Sequence, residues 1–310
     1  MGKSSSLSSK GLENVSEPSN NISTSNLDNK DLMLKWSIQL PTGSTISTYL
    51  PKTVRTFEEF IKVDQYTGDS DPVYWAITAA RHKWGYQWAS RFCVAMLAYY
   101  HTGVAVSAAQ REGTDFWRYL NEIYTRAPRA SERRHFRGAA GLIALRSMER
   151  FHPDPSTWFQ GFRPTYAAVR GTCETQLKQF GPYFQLKICD YMDRCLTIPI
   201  QSWVGLAENL PGEPAVSLKE MNPPGGFTAL VARAREVEIF ASPLFDRLVG
   251  PAEVETALCG WHTTKFKGNW FGADILDKRK ALEGYGDKAM EFQEMFPPVP
   301  PKDTFKVNLK

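Results

Sequence analysis

Residues 71–100, DPVYWAITAARHKWGYQWASRFCVAMLAYY, decide the reading of the fold. Asp71-Pro72 has the form of a helix start, because Pro in the first turn forgoes an N–H that has no intrahelical acceptor. Beyond it Trp84, Trp88, Phe92, Met96 and Tyr100 recur every four residues. That period lays an apolar stripe along one helix face, and a stripe so rich in large side chains is read first as core.

Working outward, helix signals dominate from Thr56 onward. Thr114 reads as an N-cap before Asp115–Tyr124, and Ser131 as another before a helix running to about Arg150. Further helices are predicted at 164–180, 182–196, 227–240 and 251–259. No alternating or β-branched run argues for a sheet, and no internal repeat is evident. The expected fold class is mainly α. Residues 1 to about 30 are rich in Ser and Asn and nearly free of aromatics, a composition that cannot offset its own ordering entropy. The expected organisation is a largely disordered arm over 1–50, a helical domain over 51–296 and a Pro-rich C-terminal extension over 297–310. The Pro-rich stretch 211–224 reads as an inserted loop.

The 310 residues carry a formal charge of +4 and 42 % hydrophobic residues, enough for a sizeable core and only mildly attractive to a polyanion. Nine Trp, twelve Tyr and eighteen Phe are more than a minimal core needs, and rings beside Arg and Lys can stack extruded bases as well as fill a core. Five scattered Cys without a Cys-x-x-Cys pair argue against a disulfide framework or structural zinc and fit a reducing cytoplasm. No apolar run reaches the roughly 18 residues needed to span a bilayer, so no membrane partner is expected.

Gln179-Phe180-Gly181-Pro182-Tyr183-Phe184 places a Gly between two predicted helices, with Lys187 further into the second. A helix-hairpin-helix is built this way, its turn presenting backbone N–H groups to a DNA phosphate, although such turns are also common without that role. The segment Gly181–Trp203, with its Ile-Pro-Ile corner, is similar in layout to the hairpin of helix-hairpin-helix DNA glycosylases. In those enzymes the resemblance implies a catalytic Asp after the corner, where this chain has Gln201. Gln cannot act as a carboxylate base, and the cysteine cluster of some members is also missing, so base excision is disfavoured.

A broader resemblance covers about residues 55 to 295. It is carried by Asp71-Pro72-Val73-Tyr74-Trp75, by Arg91-Phe92-Cys93-Val94-Ala95 through His101, and by Glu132-Arg133-Arg134-His135-Phe136-Arg137-Gly138. Gly181-Pro182-Tyr183-Phe184 with Lys187-Ile188-Cys189-Asp190, and Val249-Gly250-Pro251-Ala252-Glu253 through Trp270, complete it. In these stretches the chain resembles the phage amino acid:DNA transferases that hypermodify thymine, also called alpha-glutamyl/putrescinyl thymine pyrophosphorylases. The resemblance implies a helical, glycosylase-like architecture. It also implies an amine, from an amino acid or polyamine, displacing phosphate or pyrophosphate from activated 5-hydroxymethyluracil in double-stranded DNA, within a host-cell cytoplasm and alongside other phage modification enzymes. A noncatalytic hairpin DNA-binding protein and a divergent glycosylase are the alternatives.

Such a reaction needs cations for the leaving phosphate, a base for the incoming ammonium, and access to a base normally stacked. Arg133, Arg134 and Arg137 are candidate phosphate contacts, Arg133 and Arg137 sharing a face at i, i+4 spacing; a solvated charged face explains them as well. Lys265 and Lys267, with Trp261, His262, Asn269 and Trp270, form the densest mixture of cations, rings and polar groups in the chain. Glu253 and Glu255 lie in the helix opened by Gly250-Pro251. Two residues apart, they do not share a face, and Glu253 also suits a capping role. His262 is the other candidate there, since imidazole is the side-chain type suited to proton transfer around neutral pH. Asp190 and Asp193 are candidates for holding the ammonium, or equally surface partners of Lys187 and Arg194. The catalytic candidates are therefore Glu253, Glu255, His262 and Asp190. The DNA and phosphate candidates are Arg133, Arg134, Arg137, Gly181, Lys187, Lys265, Lys267 and Trp270. No nucleotide loop, zinc signature or dinucleotide fingerprint is present, so no cofactor or metal is expected.

Overall fold

Thr56 opens the helical part of the chain with a reciprocal cap: its hydroxyl accepts the Glu59 N–H at 3.2 Å and its own N–H donates to the Glu59 carboxylate at 3.2 Å. The computed structural model describes residues 32–40, 43–128, 138–237 and 248–309. Helix α1 (Phe57–Thr67) is followed by α2 (Pro72–Trp84), α3 (Tyr86–Tyr99), α4 (Thr102–Ala109), α5 (Gly113–Glu122) and α6 (Gly138–Phe151). After these come α7 (Tyr166–Gln176), α8 (Pro182–Asp190), α9 (Gly212–Met221), α10 (Gly226–Val237), α11 (Pro251–Lys267), α12 (Ala273–Lys280) and α13 (Asp287–Gln293). The fold is mainly helical, as the periodicity predicts.

The aromatic stripe that decides this reading is core. Trp84 meets Trp88 at 4.5 Å between ring centroids, Trp88 stacks on Phe92 at 5.3 Å, and Phe92 packs on Phe292 of α13 at 4.9 Å. The stripe belongs to two helices, however. Gly85 sits at φ 87°, ψ 165°, a backbone state closed to residues with a Cβ, and breaks the segment between α2 and α3. Tyr100 ends α3 in the left-handed region at φ 48°, which turns its ring out of the stripe.

Three elements depart from expectation. Met33–Gln39 (β1) and Thr45–Pro51 (β2) form an antiparallel hairpin where the arm was expected to run to residue 50. Leu34 pairs with Leu50 and Ile38 with Ile46, so one face is apolar at period two; Leu50 and Ile38 are buried, and the Trp36 indole donates to the Tyr66 carbonyl at 3.0 Å. Thr53–Val54 (β3) pairs in parallel with Lys306–Val307 (β4), tying the C-terminal extension back to the start of the domain. The stretch 211–224 is no loop: it holds α9, which packs on α11, with Ser217 donating to the Leu258 carbonyl at 2.9 Å. Pro211 and Pro214 are tolerated because they fall before and within its first turn. The Ser131 cap, Arg133, Arg134 and Arg137 lie outside the described residues. The predicted helix starts at 164, 182, 227 and 251 fall within two residues of those of α7, α8, α10 and α11, while α11 runs on to Lys267.

Helix α8 does not stop at Asp190 but continues into a π-helical turn, Tyr191–Cys195, closed by the Leu196 N–H on the Tyr191 carbonyl at 2.9 Å. The extra residue in that turn rotates the downstream chain relative to α8.

Candidate active site

Lys187, Asp190 and Arg194 lie one helical turn apart along α8 and its π turn and point inward as a buried ionic group. The Lys187 ammonium donates to Asp190 Oδ2 at 2.8 Å and to the Tyr74 hydroxyl at 3.3 Å; that hydroxyl donates to the same Asp190 oxygen at 3.1 Å. Arg194 is paired with Asp71 at the head of α2, reaches Glu253 of α11 at 3.5 Å and Thr256 Oγ1 at 3.3 Å, and lies over the Tyr74 ring at 4.6 Å. Asp71, which the sequence reads as opening α2, makes no side-chain cap; its carboxylate is turned to Arg194 instead.

Glu255, two residues after Glu253 on α11, completes the group. It is 3 % exposed, and its Oε2 has no hydrogen-bond partner. Burial pushes its carboxyl up to about 8; Lys187 and Arg194 pull it down while Asp190 and Asp71 hold it up. Asp71 is raised by the same burial, against the pull of Arg194 and Lys187. For Lys187, burial favours loss of the proton, yet Asp190 and its neighbours carry the ammonium well above its ordinary range, so it stays charged. Four carboxyls, Asp71, Asp190, Glu253 and Glu255, thus surround two permanent cations. Once Glu255 gives up its proton, the site is short of positive charge.

A cavity of about 1100 Å³ opens onto this group, with Asp71, Lys187, Glu255 and Thr256 in its wall. Phe180, Gly181, Pro182, Tyr183 and Phe184, from the turn between α7 and α8, form an aromatic side; Glu213, Cys259 and Lys267 come from α9 and α11, and Asp274, Asp277 and Lys278 from α12. Gly181 has open space where a Cβ would stand, and no side chain caps the α8 N-terminus behind it. Lys267 pairs with Glu213 at 2.6 Å, and Lys278 sits over the Tyr100 ring at 4.5 Å.

Of the residues singled out from sequence, Glu255, Lys187, Gly181 and Lys267 line this cavity, and Asp190 lies directly beneath Lys187. Glu253 and Glu255 divide as their spacing requires: Glu253 is wholly buried and accepts the Gly250 N–H at 2.9 Å, holding the start of α11. His262 stands outside the lining with its ring 4.7 Å from Phe266; Lys265 is 3.9 Å from Glu220, and Trp270 packs over Gly272. Asp193 accepts the Ile200 N–H at 3.0 Å and so braces the Ile-Pro-Ile corner. Sequence reasoning passed over Tyr74, Asp71 and Arg194 as site groups. Helical spacing carries the signal: Asp71 and Tyr74, like Lys187, Asp190 and Arg194, are polar groups one turn apart within otherwise apolar faces.

A buried carboxyl with a raised pKa beside a fixed lysine, in the wall of a cavity of about 1100 Å³, is an arrangement that can exchange a proton with a bound group. The chain belongs to the phage family of amino acid and polyamine transferases. It is 30 % identical over 255 residues to the putrescinyltransferase of Delftia phage PhiW-14, an alignment covering 77 % of this chain and 82 % of that protein. It is 28 % identical over 273 residues to the glycinyltransferase of Pseudomonas phage PaMx11, covering 76 % and 92 % respectively. No protein-family model matches the chain. No described helix is long and apolar enough to cross a membrane.

Proposed function

We propose that this transferase joins an amine donor, an amino acid or a polyamine, to 5-hydroxymethyluracil in DNA that has been activated by phosphorylation. The observation that carries the reading is Glu255, a buried carboxyl with one bare oxygen in the wall of a cavity whose floor is short of positive charge once that carboxyl ionises. An incoming ammonium supplies that charge. Its carboxyl, raised to about 8, is closer in affinity for the proton to an aliphatic amine than an ordinary carboxylate is, which favours proton transfer between them.

In the reaction the ionised Glu255 takes one proton from the donor ammonium. The freed nitrogen lone pair forms a bond to the 5-methylene carbon, and the carbon–oxygen bond to phosphate or pyrophosphate breaks, its electron pair leaving with the anion. Lys187 stays protonated and, held by Asp190 and Tyr74, keeps a fixed positive charge beside the reacting atoms. Phe180, Tyr183 and Phe184 supply ring faces against which an extruded base can stack, and the uncapped α8 N-terminus behind Gly181 suits a backbone phosphate. The same turn is what a helix-hairpin-helix reader would use, but a reader has no need of Glu255.

The test is to incubate the full chain with duplex DNA containing phosphorylated 5-hydroxymethyluracil and a pool of amino acids and polyamines, digest to nucleosides, and weigh them. A nucleoside carrying one donor in place of phosphate is expected. Bound but unchanged DNA would point to the reader, and release of free base to a glycosylase.

A further inference from the structure

Tyr100 closes α3 at φ 48°, ψ 40°, a left-handed state that a bulky side chain seldom occupies. The turn leaves its ring in the cavity wall beneath the Lys278 ammonium, which stands 4.5 Å from the ring centroid. Lys278 is also fixed through its backbone: its carbonyl accepts the hydroxyl of Thr102, a fully buried residue in the first turn of α4, at 2.9 Å. Gly103 lets α4 come this close to the end of α12, since a Cβ there would stand 2.5 Å from the Ala281 carbonyl.

Three lysines line the cavity among the described residues, and Lys278 is the one least committed to a carboxylate. Lys187 is held by buried Asp190 at 2.8 Å, and Lys267 by Glu213 at 2.6 Å. Lys278 meets Asp277 only at 3.7 Å, and Asp277 is 72 % exposed, so water screens that pair. The Lys278 side chain is itself 15 % exposed, and a cation so far withdrawn from solvent attracts an anion more strongly than one in water. His101, beside it, is pushed below its ordinary range by burial first and by Lys278 next, so it adds no second cation. Asp274, one turn earlier on α12, also lines the cavity, so an anion is retained on this side only through the ammonium.

We propose that Lys278, carried on the Tyr100 ring, receives the phosphate or pyrophosphate that leaves the base, and is a catalytic residue separate from Lys187. As the bond between the 5-methylene carbon and oxygen breaks, its electron pair goes to the departing oxygen. The Lys278 ammonium donates a hydrogen bond to the phosphate that gains this charge and keeps its own proton, while the amine proton goes to Glu255. This rests on the transferase reading above and adds a leaving-group site to it.

The test uses the full chain with inorganic phosphate and pyrophosphate as probes. Their binding is measured by calorimetry, beside single-turnover transfer and affinity for unmodified duplex DNA. Lys278→Met keeps the apolar stem on the ring; it should weaken the better-bound probe at least about tenfold and lower the transfer rate by about 10², with affinity for unmodified duplex unchanged. Lys278→Arg should restore most of both losses. Tyr100→Leu, which leaves the lysine but removes its ring, should weaken the probe by about threefold, and it carries the test if Lys278→Met does not fold. Unchanged anion binding in these variants, or wild-type protein that binds neither probe, would overturn the proposal. So would an equal loss of affinity for unmodified duplex, which would put a backbone phosphate at Lys278 instead. Lys278-dependent anion binding in a protein that transfers no amine would leave Lys278 as an anion receptor and sink the transferase reading.

Discussion

Glu255→Gln keeps the volume of the side chain and removes its ability to accept a proton. The expected outcome is loss of transfer by a factor of about 10² or more with DNA affinity unchanged, read by single-turnover kinetics beside a binding titration. Because the wild-type carboxyl titrates near 8, kcat should climb with pH through that value and level off above it. A flat profile between pH 6.5 and 9 would remove Glu255 as the base. His262→Ala is expected to retain transfer, since that ring packs on Phe266 outside the cavity wall. The Lys187–Asp190 pair predicts a different pattern, read in stability. Lys187→Met should lower stability by about 3–5 kcal/mol, because it leaves Asp190 buried without its cation, whereas Lys187→Met with Asp190→Leu should recover much of that loss. Thermal melts of the single and double variants decide it.

At the scale of elements, the breaks matter as much as the helices. Gly85 separates α2, which brings Asp71 and Tyr74 to the site, from α3, which is buried almost throughout. A Cβ at Gly85 meets nothing within 4 Å, so Gly85→Ala tests backbone strain alone and should cost about 1–2 kcal/mol. Gly103→Ala is a steric test: its Cβ would run into the Tyr285 ring and the Ala281 carbonyl, forcing α4 away from the segment after α12. A loss of about 1–3 kcal/mol is expected by denaturant unfolding, and unchanged stability would mean that this contact relaxes freely. The π turn after α8 has an equally local cause and a distant effect. By adding one residue to the turn it aims Arg194 at Asp71 and Glu253, joining α2, α8 and α11 at one point.

For the whole molecule, three buried carboxyls share one thermodynamic sign. Asp64 is pushed up to about 7, and Asp69 and Glu255 to about 8, each chiefly by burial. A folded-state value above the unfolded one means the folded protein binds more protons between the two. This contribution to stability is full below about pH 4 and is lost as pH rises through 7 to 8. The melting temperature should accordingly fall between pH 6.5 and 9, and Glu255→Gln should flatten that fall. A wild-type melting temperature that rose over this interval would contradict the assigned sign. The two ends of the described chain are also linked. Phe305 is buried against Trp36 at 5.8 Å and Phe271 at 5.7 Å, beside the β3–β4 pair, so Phe305→Ala should cost roughly 3–5 kcal/mol.

The four-residue recurrence from Trp84 to Tyr100 was enough to specify a helical core, since a face crowded with rings can be removed from water only by packing on other elements. The spacing of Glu253 and Glu255 likewise meant that at most one of them need face a pocket, without saying which. The β1–β2 alternation at Leu34, Trp36 and Ile38 was equally present in the sequence but stood next to a Ser- and Asn-rich arm. The prolines of α9 marked a loop only until α11 lay alongside to bury its apolar face. What sequence alone could not decide is the ionic group. Tyr74 and Asp190 are 116 positions apart and Arg194 and Asp71 are 123 apart, and no periodicity connects them. Their meeting depends on the break at Gly85, the π turn after Asp190 and the packing of α11. Only tertiary structure removes the water that would otherwise hold Glu255 at an ordinary carboxylate value, and that exclusion of water is what suits it to the base role proposed for it.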